Sequence, residues 1–436
     1  MRLFVGKLAG VFMLMLAGVT LVGILMAPAL VSLFAPGLYL RGEVFDLATL
    51  LLRMTFPYLF FIALTAFAGG ILNTMGQFLL PALTPILLNV CLIAASLWLA
   101  DTLTVPVMAL AVGVLIAGVL QWAVQLPALM RLGLLPCPRL DYRDEGVRRV
   151  GRLLLPAVLG ASVQQVNLLV NTVLASLLVS GSISWLYYSD RLLEFPLGMF
   201  GVALGTVVLP HLSANASATT SQSYSATLDW GLRWVILLGV PASLGLGILA
   251  NPLMLTLFGG TAFTLHDADM AARSLMAYAP GLTGFMAVKV LTPAFSARQD
   301  MATPARIGTQ VVLLNLLMSV FFAIMLSPYG WGHAGLALAV SLAAGFNAIA
   351  LLRRLIRRGI YQPGAGWWPF LLRVVLASTV MSLLLRQATT HPWHSDPTLL
   401  RIGHLSGWVG LGLLAYGLGL IATGLRPRHL VITHRH

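Results

Sequence analysis

Twelve apolar runs, each long enough to cross a hydrocarbon core, punctuate this chain at 8–33, 46–72, 81–100, 106–131, 150–180, 185–211, 228–250, 268–297, 307–327, 333–356, 367–388 and 399–424. A spanning helix needs about 20 predominantly apolar residues. Hydrocarbon offers no partner for backbone N–H and C=O groups, so a helix must satisfy them within itself. Runs of this length, repeated along a chain, imply an all-α polytopic membrane protein of about 12 transmembrane helices. Composition agrees: 59% of the residues are hydrophobic and 9% charged, with a mean hydropathy of +0.92.

The first run follows Arg2 and Lys7 and ends in small residues, as a signal peptide does. At about 20 residues it exceeds the 7–15 of a signal core, which favours a retained first span. The net charge of +13 raises nucleic acid as a partner, but its distribution speaks against one. With the N-terminus in the cytoplasm, seventeen Lys and Arg residues fall on that side, against Arg41, Arg386 and Arg401 opposite. This positive-inside bias places both termini in the cytoplasm. Cys91 lies in a span and Cys137 in a loop, so a mutual disulfide is not expected. No phosphate-binding loop and no HExxH spacing occurs, so neither ATP hydrolysis nor a zinc protease is encoded, and no cofactor or metal is expected. The C-terminal THRH reads as a solvated tail.

An internal repeat organises the chain. GILMAPALVSLF, from Gly23, and GILANPLMLTLF, from Gly247, share G-I-L-x-x-P-x-x-x-[ST]-L-F at a displacement of 224 residues. Pro57 with Pro81-Ala82 matches Pro280 with Pro304-Ala305 at a displacement of 223. Two ordered matches indicate a duplicated unit in which spans one to four correspond to spans seven to ten. The second copy has two further spans ahead of its first match. Either the duplication is lopsided or an N-terminal helix pair is lacking; the second is the expectation, with an N-terminal lobe over 1–132 lacking its first two helices, a complete six-helix lobe over 133–360, and a C-terminal helix pair with a basic tail over 361–436. Two such lobes around a central cavity suit alternating access by rocking, although a repeat can also be purely structural.

Few polar groups enter the spans. Gln164, Asn167 and Asn171 recur at i, i+3 and i+7, on one face of the fifth span; interhelical hydrogen bonding and the lining of a wet cavity account for them equally well. In SWLYYSDRLLEFPLG, Tyr187, Asp190 and Glu194 share a face. Arg191, rotated by about 100°, can reach Glu194 at i+3 or Tyr187 at i+4. A charge at the bilayer centre costs about 2.5–3.5 kcal/mol on the insertion scale, so this group must face protein or water, as a structural ion-pair cluster or as a binding site. Lys289 lies deep in FMAVKVLTPAF, with Pro293 placed to bend the helix. Arg53, Arg233 and Arg273 lie near span ends and are expected to snorkel. Arginine on a cavity face favours an anionic cargo, because its planar fork grips phosphate bidentately.

The stretches GGILNTMGQFLLPALTPILLN, PAVLGASVQQVNLLVNTVLASLLVSGSISWLYYSDRLLEFPLGMFGVALGTVVLPHLS and VKVLTPAFSARQDMATP resemble the bacterial lipid II flippase family MurJ (MviN), of the multidrug/oligosaccharidyl-lipid/polysaccharide exporter superfamily. The resemblance implies fourteen helices in full-length members, and a transporter rather than an enzyme. It implies movement of an undecaprenyl-diphosphate-linked peptidoglycan precursor, lipid II, from the inner to the outer leaflet of the bacterial cytoplasmic (inner) membrane. Membrane lipids and cell-wall synthesis proteins are the further partners it suggests. It carries the family's eighth-helix arginine onto Arg191, with Asp190 and Glu194 beside it and Ser184 at the outer end, as head-group contacts; Lys289 joins them as a deep cation. The C-terminal pair would hold the lipid tail. Other charged residues of the family belong to its first two helices and find no counterpart here. Rival readings are a flippase for another polyprenyl-diphosphate oligosaccharide and an inactive truncated form or membrane scaffold.

Overall fold

The structure, a computed structural model, describes residues 2–39, 42–135, 139–142, 144–206, 221–260 and 262–425. All regular structure among them is helical. The chain begins with α1 (Arg2–Leu25), α2 (Ala27–Phe34), a single turn α3 (Pro36–Tyr39), α4 (Gly42–Thr55), α5 (Tyr58–Thr74), α6 (Leu79–Trp98) and α7 (Met108–Arg131). Then come α8 (Glu145–Ser176), α9 (Ser182–Pro196), α10 (Ser221–Ile248), α11 (Ala250–Phe258), α12 (Leu265–Tyr278) and α13 (Gly281–Ser296). The last four are α14 (Ala302–Leu326), α15 (Gly332–Arg357), α16 (Trp367–Arg386) and α17 (Thr398–Ala422).

Among the described residues, nine helical stretches are long and apolar enough to cross a membrane, and α12 with α13, bent by 46°, makes ten. The fifth and sixth expected spans, α8 and α9, are not among them, so the count of twelve is not confirmed. α9 is short, at 15 residues, and carries the three charges of the Asp190 cluster. The bend in the eighth expected span also differs from expectation. It falls at the break before Gly281, whereas α13 runs through Pro293 as one helix.

The repeat is visible in the backbone. α1 breaks at Met26 (φ −87°, ψ 6°) and α10 at Leu249 (φ −88°, ψ 12°), and in each case a short second helix follows. Gly23 lies against Phe56, where an added Cβ would come within 1.9 Å of the ring; its counterpart Gly247 lies against Ala279 at 3.7 Å. Pro57 (φ −59°) and Pro280 (φ −60°) start α5 and α13, positions at which a fixed φ and a missing N–H cost the helix nothing. α5 then ends in a Schellman turn, with Gln77 N–H donating to Leu72 C=O at 2.9 Å; α13 ends in the same turn, Asp300 N–H to Phe295 C=O at 3.0 Å. The left-handed residue that this turn needs is Gly76 (φ 75°) in the first case and Gln299 (φ 59°) in the second, the only non-glycine with positive φ among the described residues.

The chain forms two compact units, 1–165 and 166–436. In the first, α6 and α7 are joined by a polar seam. Gln121 Nε2 donates to Thr84 C=O at 3.1 Å, Gln125 Nε2 donates to the Thr84 hydroxyl at 3.1 Å, and Tyr58 donates to Gln121 Oε1 at 3.3 Å. The loop after α7 folds back on α1: Arg139 N–H donates to Gly6 C=O at 3.0 Å, and Lys7 Nζ lies 2.9 Å from both Asp141 and Asp144. Asp144 also caps α8 through the N–H of Gly146 at 2.9 Å.

The second unit has two apolar cores. One runs through α10, α13 and α15, centred on Leu228, Leu282, Met286, Val290 and Leu351. The other joins α10, α11 and α12 to α16 and α17 through Met254, Leu275, Val374, Ala377 and Met381, so the C-terminal pair is packed into this unit. Asp229 holds the connection that leads to that pair. Its Oδ1 accepts from Tyr361 at 2.9 Å, Gly364 N–H at 3.0 Å and Trp367 Nε1 at 2.6 Å, while Oδ2 accepts from Arg233 at 2.8 Å. Arg233, expected to snorkel, instead pairs with Asp229, donates to Ala365 C=O at 2.9 Å and covers the Trp367 ring at 5.3 Å. Arg273 likewise pairs with Asp269 at 2.7 Å and lies over Trp331 at 4.9 Å.

Candidate functional site

α9 has two chemically distinct faces. Ser182, Trp185, Leu186, Ser189, Leu193 and Pro196 are buried, at helical spacing, and pack onto α12. Two polar ties fix that contact: Trp185 Nε1 donates to Asp267 Oδ1 at 2.8 Å, and the Ser189 hydroxyl reaches Ala271 C=O at 2.7 Å. Asp267 is itself held by a reciprocal capping box with Thr264 at the start of α12. Beneath Trp185, His333 is wholly buried and bonded to Ser274 at 2.7 Å. The sequence of α9 thus dictates a fixed inner face, which in turn fixes the direction of the outer one.

The outer face carries the charges. Arg191 Nη1 meets Glu194 Oε2 at 2.6 Å, and both side chains are about half exposed within their unit, at 52% and 51%. The guanidinium also covers the Tyr187 ring at 4.9 Å from its centroid. Both expected partners of Arg191 therefore engage it together. Asp190 is half-buried and has no ion-pair partner among the described residues. Ser184 is exposed at the start of the helix. The result is a charged strip that its own unit leaves uncovered.

Past Pro196 the helix loosens into a π-turn over Leu197–Val202, which places Gly201 and Gly205 against α13. A Cβ at Gly201 would lie 3.7 Å from Lys289 Cγ, and one at Gly205 would lie 3.2 Å from Lys289 C=O. Small residues at such crossings let two helices approach closely. Lys289 is exposed and, on α13, lies beside Gly201 and Gly205, about three turns beyond Arg191 along the span that carries α9, so the two cations mark different depths. Asn171 accepts a hydrogen bond from Ser319 on α14 at 3.2 Å. The side chains of Gln164 and Asn167, like Cys137 and the C-terminal THRH, lie outside the described residues.

The polar anchors Asp229 and Trp185 were not singled out from the sequence. An Asp-x-x-x-Arg pair and tryptophans near span ends were the available signals. On the far side of α16 an apolar groove of about 340 Å³ runs against α10, lined by Val240, Leu244, Val375 and Leu383, with Arg386 at its end. Ser378, Thr379 and Ser382 also line it.

The family model described as lipid II flippase MurJ matches residues 1–401. A probable lipid II flippase MurJ of Vibrio cholerae is 40% identical over 98% of this chain and 82% of its own length. A lipid II flippase MurJ of Burkholderia cenocepacia is 43% identical over 85% of this chain and 72% of its own length. Among solved structures, one described as lipid II flippase MurJ in an inward closed conformation aligns over 96% of this chain with a TM-score of 0.78 at 23% identity. An inward-facing multidrug transporter of the MATE family aligns over 82% of this chain with a TM-score of 0.63.

Proposed function

We propose that this chain, which belongs to the lipid II flippase MurJ family, moves the undecaprenyl-diphosphate-linked peptidoglycan precursor from the inner to the outer leaflet of the cytoplasmic membrane by alternating access. The observation that carries this reading is the charged strip of α9, with Arg191 and Glu194 half exposed in their unit. Within a bilayer a charged face stands only against water or protein, and intramembrane charges mark substrate paths. An aqueous path that admits a diphosphate is one environment that satisfies it.

Arg191 then serves as the diphosphate ligand. With no cargo, Glu194 neutralises it and the Tyr187 ring steers it. An incoming diphosphate competes for the guanidinium fork and releases Glu194, so the cation is never left bare at depth. Asp190 and Ser184 complete the head-group contacts, and Lys289 supplies a second cation farther along the path. Asn171 and Tyr187 line the same route. Both termini lie in the cytoplasm, as supported by the bias of Lys and Arg toward one set of loops. Enzymes that polymerise the precursor on the outer face are the partner class consistent with this product.

Proteoliposomes containing the full chain and fluorescent lipid II test the reading, with outer-leaflet lipid read by a membrane-impermeant quencher. Arg191→Ala is expected to slow movement about 10–100-fold, the loss that goes with a charge-assisted hydrogen bond, while Arg191→Lys retains part of it. A folded wild-type chain that moves no lipid II overturns the function. A folded Arg191→Ala protein at full rate would make the strip a structural ion pair.

A further inference from the structure

A second cationic site lies away from α9, in a groove of about 500 Å³ between α14 and α15. Thr303, Arg306, Ile307 and Gln310 line it from one face of α14, and Phe346, Ile349, Arg353 and Arg357 from one stripe of α15, with Arg354 beside them. The two helices run antiparallel, so their basic ends coincide: Arg306 is in the first turns of α14, and Arg354 and Arg357 are in the last turn of α15.

Three observations point to a ligand. Four guanidiniums line one groove that contains no carboxylate, and none of them forms an ion pair among the described residues; the nearby Asp300 is already committed to Arg358 at 2.5 Å. Like charges at i, i+4, as at Arg353 and Arg357, repel, and Arg306 sits near the positive end of a helix dipole, where a cation is disfavoured. The groove is also amphipathic along its length. Ile349 and Phe346 lie one and two turns deeper than Arg353 and are 50% and 41% exposed, presenting an apolar track that begins where the arginines end. Finally, the repeat supplies an internal control. Arg306 corresponds to Leu83 at the displacement of 223. With α7 and α15 matched on the turns that end them, Leu134 N–H to Leu129 C=O and Ile360 N–H to Leu355 C=O, Arg353, Arg354 and Arg357 correspond to Pro127, Ala128 and Arg131, so the cluster is not a requirement of the shared fold.

We propose that this groove binds the phosphate head group of an anionic phospholipid, held by Arg306, Arg353, Arg354 and Arg357, with an acyl chain along Phe346 and Ile349. A free phosphate has no use for the apolar track, and a zwitterionic lipid brings a cation into a pocket that already has four. The arginine forks suit a phosphodiester, which offers two unesterified oxygens. The orientation proposed above makes the cytoplasmic leaflet the source of the lipid. Binding itself is read without transport, so failure here and failure of the flippase reading are separable.

The full chain in detergent is titrated with short-chain phosphatidylglycerol, with phosphatidylcholine of the same chain length and with inorganic phosphate, and bound lipid is counted by native mass spectrometry. Phosphatidylglycerol is expected to bind saturably at one site in preference to the other two. R354Q/R357Q weakens it about thirtyfold, since each basic residue near a membrane surface contributes about a fivefold factor. The charge-matched R148Q/R149Q, whose arginines are exposed on α8, leaves the affinity unchanged. Equal binding of phosphatidylcholine, equal losses in the two double variants, or competition by millimolar inorganic phosphate would each overturn the proposal. All four substituted side chains are exposed, so folding is preserved, and unchanged thermal unfolding of the lipid-free variants verifies it.

Discussion

The helix pairs α6–α7 and α14–α15 occupy corresponding places in the two units and are held together by different chemistry. The first pair is joined through Thr84, Gln121 and Gln125, all buried and hydrogen-bonded. At the corresponding positions the second pair has Ile307, Asn347 and Leu351, and two of these, Ile307 and Leu351, belong to an apolar core. Lipid tails are as apolar as leucine, so helix association in a bilayer relies on packing and hydrogen bonds rather than on exclusion of water. The two units are alternative solutions to that problem on one backbone frame. A polar seam specifies register, and an apolar seam leaves the polar residues free for the groove rim.

The largest test of this contrast concerns what each unit anchors. Asp229 accepts four hydrogen bonds, one of them from Arg233, and the side chains of this pair are 13% and 19% exposed. Asp229→Ala is expected to cost about 3–5 kcal/mol, the loss found when one partner of a buried pair is removed. Limited proteolysis should then cut between α15 and α16. The first unit's anchor, Lys7 with Asp141 and Asp144, is more exposed, and solvent screening weakens such pairs, so Asp144→Ala should lower stability far less than Asp229→Ala. Equal losses would erase the distinction. Next comes the seam itself. Thr84→Val leaves the Gln125 amide without its acceptor and should cost about 1–3 kcal/mol, whereas Thr84→Val with Gln125→Leu should recover most of it, because replacing both partners by apolar groups is nearly neutral. Unfolding midpoints in detergent measure both, and an additive double variant would show that the pair is not coupled.

A smaller effect comes from the matched Schellman turns. Gly76→Gln should destabilise by about 1 kcal/mol, since no neighbour lies within 4 Å of its would-be Cβ and only left-handed strain is added. Gln299→Gly should gain up to about the same by relieving that strain. If the two changes share one sign, the turns are not equivalent. The smallest effect is on pH. Asp300 is drawn down to about 2, first by the Thr303 hydroxyl, then by Arg358 and the Thr303 N–H. A depressed carboxylate contributes stability that is fully present above its unfolded value of about 4 and lost as pH falls through its folded value. Amide protection of Thr303 should therefore survive from pH 7 to about pH 4 and decline toward pH 2. At the corresponding position stands Gln77, and that turn should show no such step. A matching decline in both turns would trace the loss to global unfolding instead.

The repeat was legible because proline and glycine act locally: a fixed φ at Pro57 and Pro280 writes the same helix start twice, whatever packs around it. Most of the spans were legible for a similar reason, since the bilayer sets a minimum length for an apolar helix, while α8 and α9 do not meet that test. The polar ties were not. Asp229 reads from sequence as one end of an i, i+4 pair with Arg233, and nothing local indicates that Tyr361, Gly364 and Trp367 return to it from 132–138 residues away. Arg191 shows the intermediate case. Its pairing with Glu194 follows from helical spacing alone, but the exposure of the pair depends on Ser189 and Trp185 fixing the opposite face to α12. Pro293 was misread because a proline kinks a helix only where packing allows it. Here the bend fell one element boundary earlier, where Ala279 and Pro280 already interrupt the helix.

The π-turn after Pro196 sets the phase of everything beyond it. Each residue of an α-helix advances the azimuth by about 100°, and a π-turn takes up an extra residue without adding a turn. The span therefore behaves like a shaft with a slipped key. The charged strip before Leu197 keeps one bearing while Gly201 and Gly205 take another, against Lys289. One continuous helix can in this way present its charge in one direction and its smooth flank in a second. Deleting a single residue between Leu197 and Val202 would bring the two bearings into line and force a choice between them.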